Sequence, residues 1–303
     1  MSTKAKVFLA LGLYVLITFG MALIVGSSGE NQEFQPQNEF LLDPWIELDV
    51  GFADLSINKA VLYLLLASAA TIGVMTFIAR RMTREPNRVQ MAVELAYDLT
   101  RNTITADNIE DKRLATRWFP FLATLFFFIW FSNMIGYLPL PTNTEHPIDI
   151  FGIEVPALAL YAATANLSIP LMLTLVVWIS YHVEGIRAKG FFPYFASWLP
   201  PGLEDMNPFA KGFIFVIEAI SHFARLISLS VRLFANILAG HLLILFMAGG
   251  LAVLLGLAAL GIATFPLVLF FFLLEVGLIA TLQAFIFSIL TAIYLGGATA
   301  ESH

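Results

Sequence analysis

The chain contains apolar runs that a soluble fold has no use for: Val7–Gly26, Ala60–Ile78, Trp118–Leu140, Pro156–Tyr181, a very long run from Pro208 to about Gly256, and a last one from Ala258 to about Leu295. A helix of about 20 apolar residues crosses a hydrocarbon core of about 30 Å. Inside that core every backbone N–H and C=O must be satisfied by the protein itself. Runs that are continuous rather than alternating meet this demand as helices, not as barrel strands. The sequence therefore predicts an all-α polytopic membrane protein with five or six membrane-embedded helices. Only 13% of its 303 residues are charged and 59% are hydrophobic, against about 25% and roughly 45–50% in soluble domains, so one helical bundle is expected rather than two soluble domains.

Several function classes fall away. A formal charge of −6, with no basic patch interleaved with aromatics, disfavours nucleic acid as a partner. The absence of cysteine removes disulfide, thiolate and cysteine–zinc chemistry. No His-rich metal set, nucleophile arrangement or phosphate-binding glycine loop points to a membrane enzyme, so no catalytic residue, metal or cofactor is assigned. No internal repeat is evident either, which weakens an inverted-repeat transporter.

Charge sets the orientation. Of sixteen Lys and Arg residues, eight lie between Arg80 and Arg117, and Arg187, Lys189 and Lys211 follow. Ser27–Asn58 instead holds seven acidic residues and no Lys or Arg, and Pro141–Val155 holds Glu145, Asp149 and Glu154 with none. Positive loops stay inside, so Arg80–Arg117, His182–Lys211 and the C-terminal tail are expected in the cytoplasm and the acidic loops outside. Val7–Gly26 reads as a first span, with a secretion signal as the alternative, because its apolar run exceeds the usual 7–15 residues of such signals. Val89, Ala92, Val93, Ala96 and Leu99 recur at helical spacing opposite Glu94, Asp98 and Arg101, as in a helix lying on the membrane surface. Prolines at both ends of Trp118–Leu140 are expected to kink or end that helix. Asn133 within it either lines a polar path or bonds a neighbouring helix.

Four charges are stranded at membrane depth: Glu218, Arg225, Arg232 and Glu275. Each costs at least about 2.5–3.5 kcal/mol on insertion scales and usually faces a bundle interior or an aqueous cavity. At about 100° per residue, Glu218, Ser221, Arg225, Ser228, Arg232 and Asn236 fall within about 40° of the Arg232 direction. They form one polar stripe. His222 sits at its edge, about 80° away, and His241 projects to about the opposite side. Were Pro208–Gly256 a single helix, its 49 residues would extend about 70 Å, so it must tilt steeply or break, with Gly240, Gly249, Gly250 and Gly256 as candidate breaks.

At these residues the sequence resembles subunit a of F-type ATP synthases. The run Ile217-Glu218-Ala219-Ile220-Ser221-His222-Phe223-Ala224-Arg225, then Ile227-Ser228-Leu229-Ser230-Val231-Arg232-Leu233-Phe234-Ala235-Asn236 and Ala239-Gly240-His241, is similar to the family's most diagnostic helix. Leu282-Gln283-Ala284-Phe285-Ile286-Phe287, with Leu290-Thr291 and Tyr294, is similar to its last one. Weaker likeness reaches back through Phe131-Ser132-Asn133 and Tyr181-His182-Val183-Glu184-Gly185, covering roughly Arg84 to the C-terminus. Two departures stand out. Leu226 replaces the family's common proline, and Glu275 lies eight residues before Gln283 rather than seven, which on an α-helix turns it by about 100°.

An N-terminal apolar and acidic segment (1–59) lies outside the likeness; the resemblance implies a membrane domain (60–303), whose helix pair at 208–297 forms a long, steeply tilted hairpin. That hairpin lies against a ring of small c subunits, each with a membrane-embedded carboxylate. It also implies peripheral-stalk b subunits, the remaining ATP synthase subunits and membrane lipid as partners, in a bacterial inner (plasma) membrane. Arg232 then faces the ring carboxylate, favouring its ionised form while holding its own proton, so that ions cross only by ring rotation between two half-channels. The resemblance places Glu218, His222, Asn236, His241, Glu275 and Gln283 along the ion path, with Arg225, Ser228 and Asn133 as further candidates and H⁺ as the expected ion. A structural ion pair for Glu218 with His222, lipid or snorkelling for Arg225, and helix-packing bonds for His241, Glu275 and Gln283 are the bland readings. A stand-alone ion channel or proton-coupled carrier is the competing function, and differs in conducting without a ring.

The charge asymmetry predicts Arg84 and Lys189 on the cytoplasmic side and Glu39 and Glu145 outside. Single cysteines at these positions in the cysteine-free chain, labelled from either side, check this, and shared accessibility of Glu145 and Lys189 refutes it.

Overall fold

A computed structural model of the chain describes residues 56–81, 87–137, 148–150, 153–155, 162–199, 207–247 and 258–300, together with positions 12, 40, 42 and 44–47. The first apolar run, most of the acidic segment after it, Arg84 and the glycines at 249, 250 and 256 lie outside the described residues.

The elements are almost all helical. They are α1 (Lys59–Arg81), α2 (Arg88–Asp98, continuing as a π-helical stretch Leu99–Ala106), α3 (Lys112–Gly136), α4 (Ser168–Lys189), α5 (Phe191–Ala196), α6 (Pro208–Leu245), α7 (Ala258–Leu274), a π turn (Glu275–Ile279) and α8 (Ala280–Thr299). A short antiparallel hairpin, Ile148–Ile150 with Ile153–Val155, sits in the acidic loop. Among the described residues five helical spans are long and apolar enough to cross a membrane: Lys59–Ile78, Lys112–Ile135, Ser168–Lys189, Pro208–Leu245 and Thr264–Thr299. The chain is an all-α polytopic membrane protein.

Three boundaries differ from the sequence expectation. α3 runs through Pro120 instead of ending there, and starts six residues before the apolar run, because Asp111 Oδ1 accepts from Arg113 N at 2.8 Å and secures the first turn. α4 begins at Ser168, twelve residues into the apolar run. A 3₁₀ turn at Ala163–Ala165 precedes it, and Asn166 Oδ1 accepts from Ser168 N at 3.0 Å. α6 continues through Gly240, which is therefore no break.

The contacts divide the chain into two compact units, interleaved in sequence. The larger comprises Ala60–Gly136, Ala162–Ile237 and Ala280–His303. Its centre is α8, which packs on α3 and α4 through the stripe Ala280, Gln283, Ala284, Phe287, Thr291, Ala292 and Leu295. Small residues here let backbones approach, as helix association in lipid requires. The same logic appears at Gly136, where any Cβ would overlap Ala162, and at Gly185, where it would overlap the Tyr194 ring. Gly190, at φ 87°, lets the chain turn from α4 into α5 and so brings Tyr194 to that seat. Burial there pushes the Tyr194 hydroxyl above its ordinary pKa. Where α3 and α4 meet, Arg117 Nη1 bonds the buried Glu184 Oε1 at 3.1 Å, with Arg187 Nη1 3.8 Å from Oε2.

The other unit comprises Met1–Lys59, Tyr137–Tyr161 and Leu238–Ile279. Its described parts are the end of α6, α7 with the π turn, Tyr137, the hairpin and a bridge between Ile46 and Ile57. Thr264 Oγ1 donates to Met247 O at 2.9 Å and ties the start of the last span to the end of α6.

Gly185→Val is expected to cost about 1–3 kcal/mol as an overpacked contact, and Tyr194→Ala in the same chain to restore part of it. Thermal unfolding of the purified chains in detergent reads both, and an unrestored double variant means the Gly185 seat is misassigned.

Candidate functional site

The polar stripe of α6 is divided by its surroundings. Glu218, Ser221 and Arg225 are half-buried, whereas Ser228, Arg232 and Asn236 are exposed on the helix surface. Along the same open surface stand Ile220, Phe223, Ile227 and Val231. Arg232 makes no hydrogen bond or ion pair among the described residues. A guanidinium on an apolar helix with no counter-charge of its own calls for one from elsewhere.

Arg225 is different, since its guanidinium carbon lies 5.5 Å from the centroid of the Tyr294 ring on α8, within cation–π range. His222 is held in an aromatic box. Its Nδ1 is 3.1 Å from the Tyr181 hydroxyl, its ring stacks on Trp198 at 4.3 Å, and its backbone carbonyl accepts from Trp178 Nε1 at 3.2 Å. His182 lies beside it, at 5.2 Å between centroids, donating from Nδ1 to Trp178 O at 2.8 Å. The expected pairing of Glu218 with His222 is not formed among the described residues. Their i,i+4 spacing permits it, but the imidazole turns instead into the box supplied by α4 and the turn after α5.

Asn133 makes the bonds to a neighbouring helix that its packing reading expects. It is fully buried, its Oδ1 accepts from Thr164 Oγ1 at 2.6 Å, and its Nδ2 reaches Ala280 O at 3.5 Å, with Trp130 Nε1 bonding Thr281 Oγ1 at 3.1 Å nearby. These bonds fix α3 against α8. Gln283 is buried in the stripe of α8 that faces α3 and α4.

In the second unit three polar groups meet. Glu275 is 5% exposed, and the Tyr137 hydroxyl donates to its Oε2 at 3.0 Å. Tyr137 also stacks on His241, with centroids 4.3 Å apart and planes within 8° of parallel. His241 is 2% exposed, with Phe40 edge-on at 6.4 Å, and its Nε2 has no hydrogen-bond partner among the described residues. Gly240 faces the Glu275 carboxyl so closely that any Cβ would collide with it. That contact is the physical reason the helix keeps a glycine here without breaking.

The π turn at Glu275–Ile279 answers the one-residue departure seen in the sequence. A π turn takes in one residue more than an α turn. The eight positions from Glu275 to Gln283 therefore advance about as far round the axis as seven in an unbroken α-helix. Tyr137, Trp178, Trp198 and the role of Gly240 are not evident from sequence spacing, since each depends on a partner far along the chain.

Charges at membrane depth are expensive and usually mark a functional site, so fold and site together define a class of polytopic helical membrane protein with charged groups set within its spans. Comparison with known proteins narrows that class. The family model for the ATP synthase A chain matches residues 61–296. The chain is similar to ATP synthase subunit a of Helicobacter pylori (strain P12), 38% identical over 237 residues, which cover 77% of this chain and 88% of the relative. It is also similar to ATP synthase subunit a of Campylobacter hominis, 36% identical over 238 residues, covering 78% and 88%. The chain belongs to the ATP synthase A chain family.

Gly240→Ala is expected to displace the Glu275 carboxyl and lower ion-driven ATP synthesis by about tenfold or more, a barrier change of about 1.4 kcal/mol, while Gly297→Ala, where a Cβ meets open space, should leave it unchanged. Synthesis by membrane vesicles with matched amounts of assembled complex decides it. Equal rates for both variants disprove the contact's importance.

Proposed function

We propose that this chain is the ion-translocating stator subunit in the membrane sector of a rotary F-type ATP synthase, carrying H⁺ and performing no catalysis itself. One observation carries the reading: Arg232 stands exposed on the apolar surface of α6, with no ion pair among the described residues. The carboxylate of a passing ring subunit is the counter-charge such a group calls for. A guanidinium holds its proton in proteins, so it cannot relay H⁺, and its field favours the ionised carboxylate opposite. Each ring site therefore gives up its proton on reaching Arg232. A neutral, reprotonated site can leave into lipid.

Direct leakage between the two sides is blocked by the same charge, so transport requires rotation. His241 and Glu275 serve as groups of the external half-channel, and Glu218 and its polar neighbours Ser221 and Ser228 serve the cytoplasmic one. Asn236, beside Arg232 on the exposed surface, contacts the ring as well. Gln283 supports the helix pair near Arg232. The c ring, b subunits of the peripheral stalk, the remaining synthase subunits and lipid are the partners, in a bacterial plasma membrane with the C-terminus in the cytoplasm. The acidic external loops and basic cytoplasmic segments support this orientation.

Replacing Arg232 by Ala should abolish coupled ATP synthesis and open a passive leak, because ring sites then exchange protons without a barrier. Arg232→Lys keeps the charge on a compact, strongly hydrated ammonium and should be badly impaired too. Synthesis and passive H⁺ flux are measured in vesicles carrying each assembled variant. Full synthesis by the Ala variant would falsify the mechanism.

A further inference from the structure

The reading above uses His241 and Glu275 but leaves Tyr137 without a role, although it touches both. Tyr137 follows the last residue of α3, is 2% exposed, and has its ring between the imidazole of His241 and the edge of Phe272, whose centroid is 6.1 Å away. Its hydroxyl reaches one oxygen of Glu275 and no other described group. Glu275 Oε1 and His241 Nε2 are left without hydrogen-bond partners among the described residues. A phenol that served only to fill space would have no need of its oxygen at this depth, where an unused hydroxyl is a cost.

We propose that Tyr137 is a positioning residue of the ion path. Its hydroxyl keeps its own proton and occupies Oε2 of Glu275, so Oε1 is the oxygen that takes up and releases the travelling proton. Its ring holds the imidazole of His241 flat, which fixes the direction of Nε2. Gly240 completes the arrangement by leaving room for the carboxyl. Position and plane are thereby set for an acid and an imidazole that come from different helices. A buried acid free to rotate would present either oxygen, and proton uptake would wait on the correct rotamer.

This inference rests on His241 and Glu275 lying in a half-channel, and the experiment separates the two claims. Passive H⁺ flux is measured through the assembled membrane sector in vesicles after removal of the catalytic head. The carboxyl C=O stretch is recorded by infrared spectroscopy on the purified full chain and assigned by its loss in Glu275→Gln. Tyr137→Phe, which keeps the stacked ring and removes one oxygen, should lower flux about two- to tenfold, the factor one ordinary hydrogen bond carries into a rate. It should also move the Glu275 band to higher frequency. Tyr137→Leu, losing the ring as well, should lower flux further.

If Glu275→Gln blocks flux while Tyr137→Phe leaves both flux and band unchanged, the positioning role is wrong and the half-channel stands. A fall in flux with an unmoved band also overturns it, because the effect then bypasses Glu275. Unchanged flux in Glu275→Gln removes the half-channel assignment and the role of Tyr137 with it.

Discussion

A guanidinium at the surface of an apolar helix costs at least about 2.5–3.5 kcal/mol to place in a bilayer, and this chain keeps Arg232 there with no partner among the described residues. The rest of α6 is organised around that expense. Residues on the open surface beside it are apolar or small and uncharged: Phe223, Ala224, Ile227, Ser228, Val231, Ala235 and Asn236. Such a face suits close approach of another helix, and a carboxylate on that helix is what would offset the charge. In the proposed rotary mechanism the incompleteness of the chain is functional, since a charge satisfied internally would have nothing left to offer a passing site.

Four other polar groups described in the spans illustrate the opposite solution. Asn133 is answered by Thr164 and the carbonyl of Ala280, Glu184 by Arg117, Arg225 by the face of Tyr294, and His222 by Tyr181. Each answer comes from a different helix, so each doubles as a clamp. Glu275 combines both modes. Tyr137 occupies one of its oxygens while the other is unclaimed, and a glycine on α6 gives it room. Half-satisfied groups of this kind are costly in a structural core and suit the half-channel role proposed for Glu275.

Backbone irregularity is placed with the same economy. π turns are rare and frequently mark functional sites. Here one falls at Glu275–Ile279, at the carboxylate that stands eight residues before Gln283. The added residue is absorbed in the wider turn instead of rotating the acid off its partners. Long helices otherwise pass through their potential breakers: α3 through Pro120, α6 through Gly240 and α7 through Pro266.

The sequence by itself determined the class and singled out the candidate residues. Apolar run length dictates spanning helices, the Lys and Arg distribution supports the proposed orientation, and helical arithmetic alone places Arg232 on one stripe with Glu218, Ser228 and Asn236. These are local properties, read within one turn or one span. Tertiary structure decided what these residues touch. Only packing shows that His222 bonds Tyr181 rather than Glu218, that Arg225 meets Tyr294, that Asn133 bonds Thr164 and Ala280, and that Gly240 accommodates a carboxyl instead of ending a helix. Tyr137 and Glu275 are 138 residues apart, and no periodicity carries information over that separation. A hydrogen bond between helices depends on which faces the surrounding small residues allow to meet, and that is fixed when the helices assemble, not when they form.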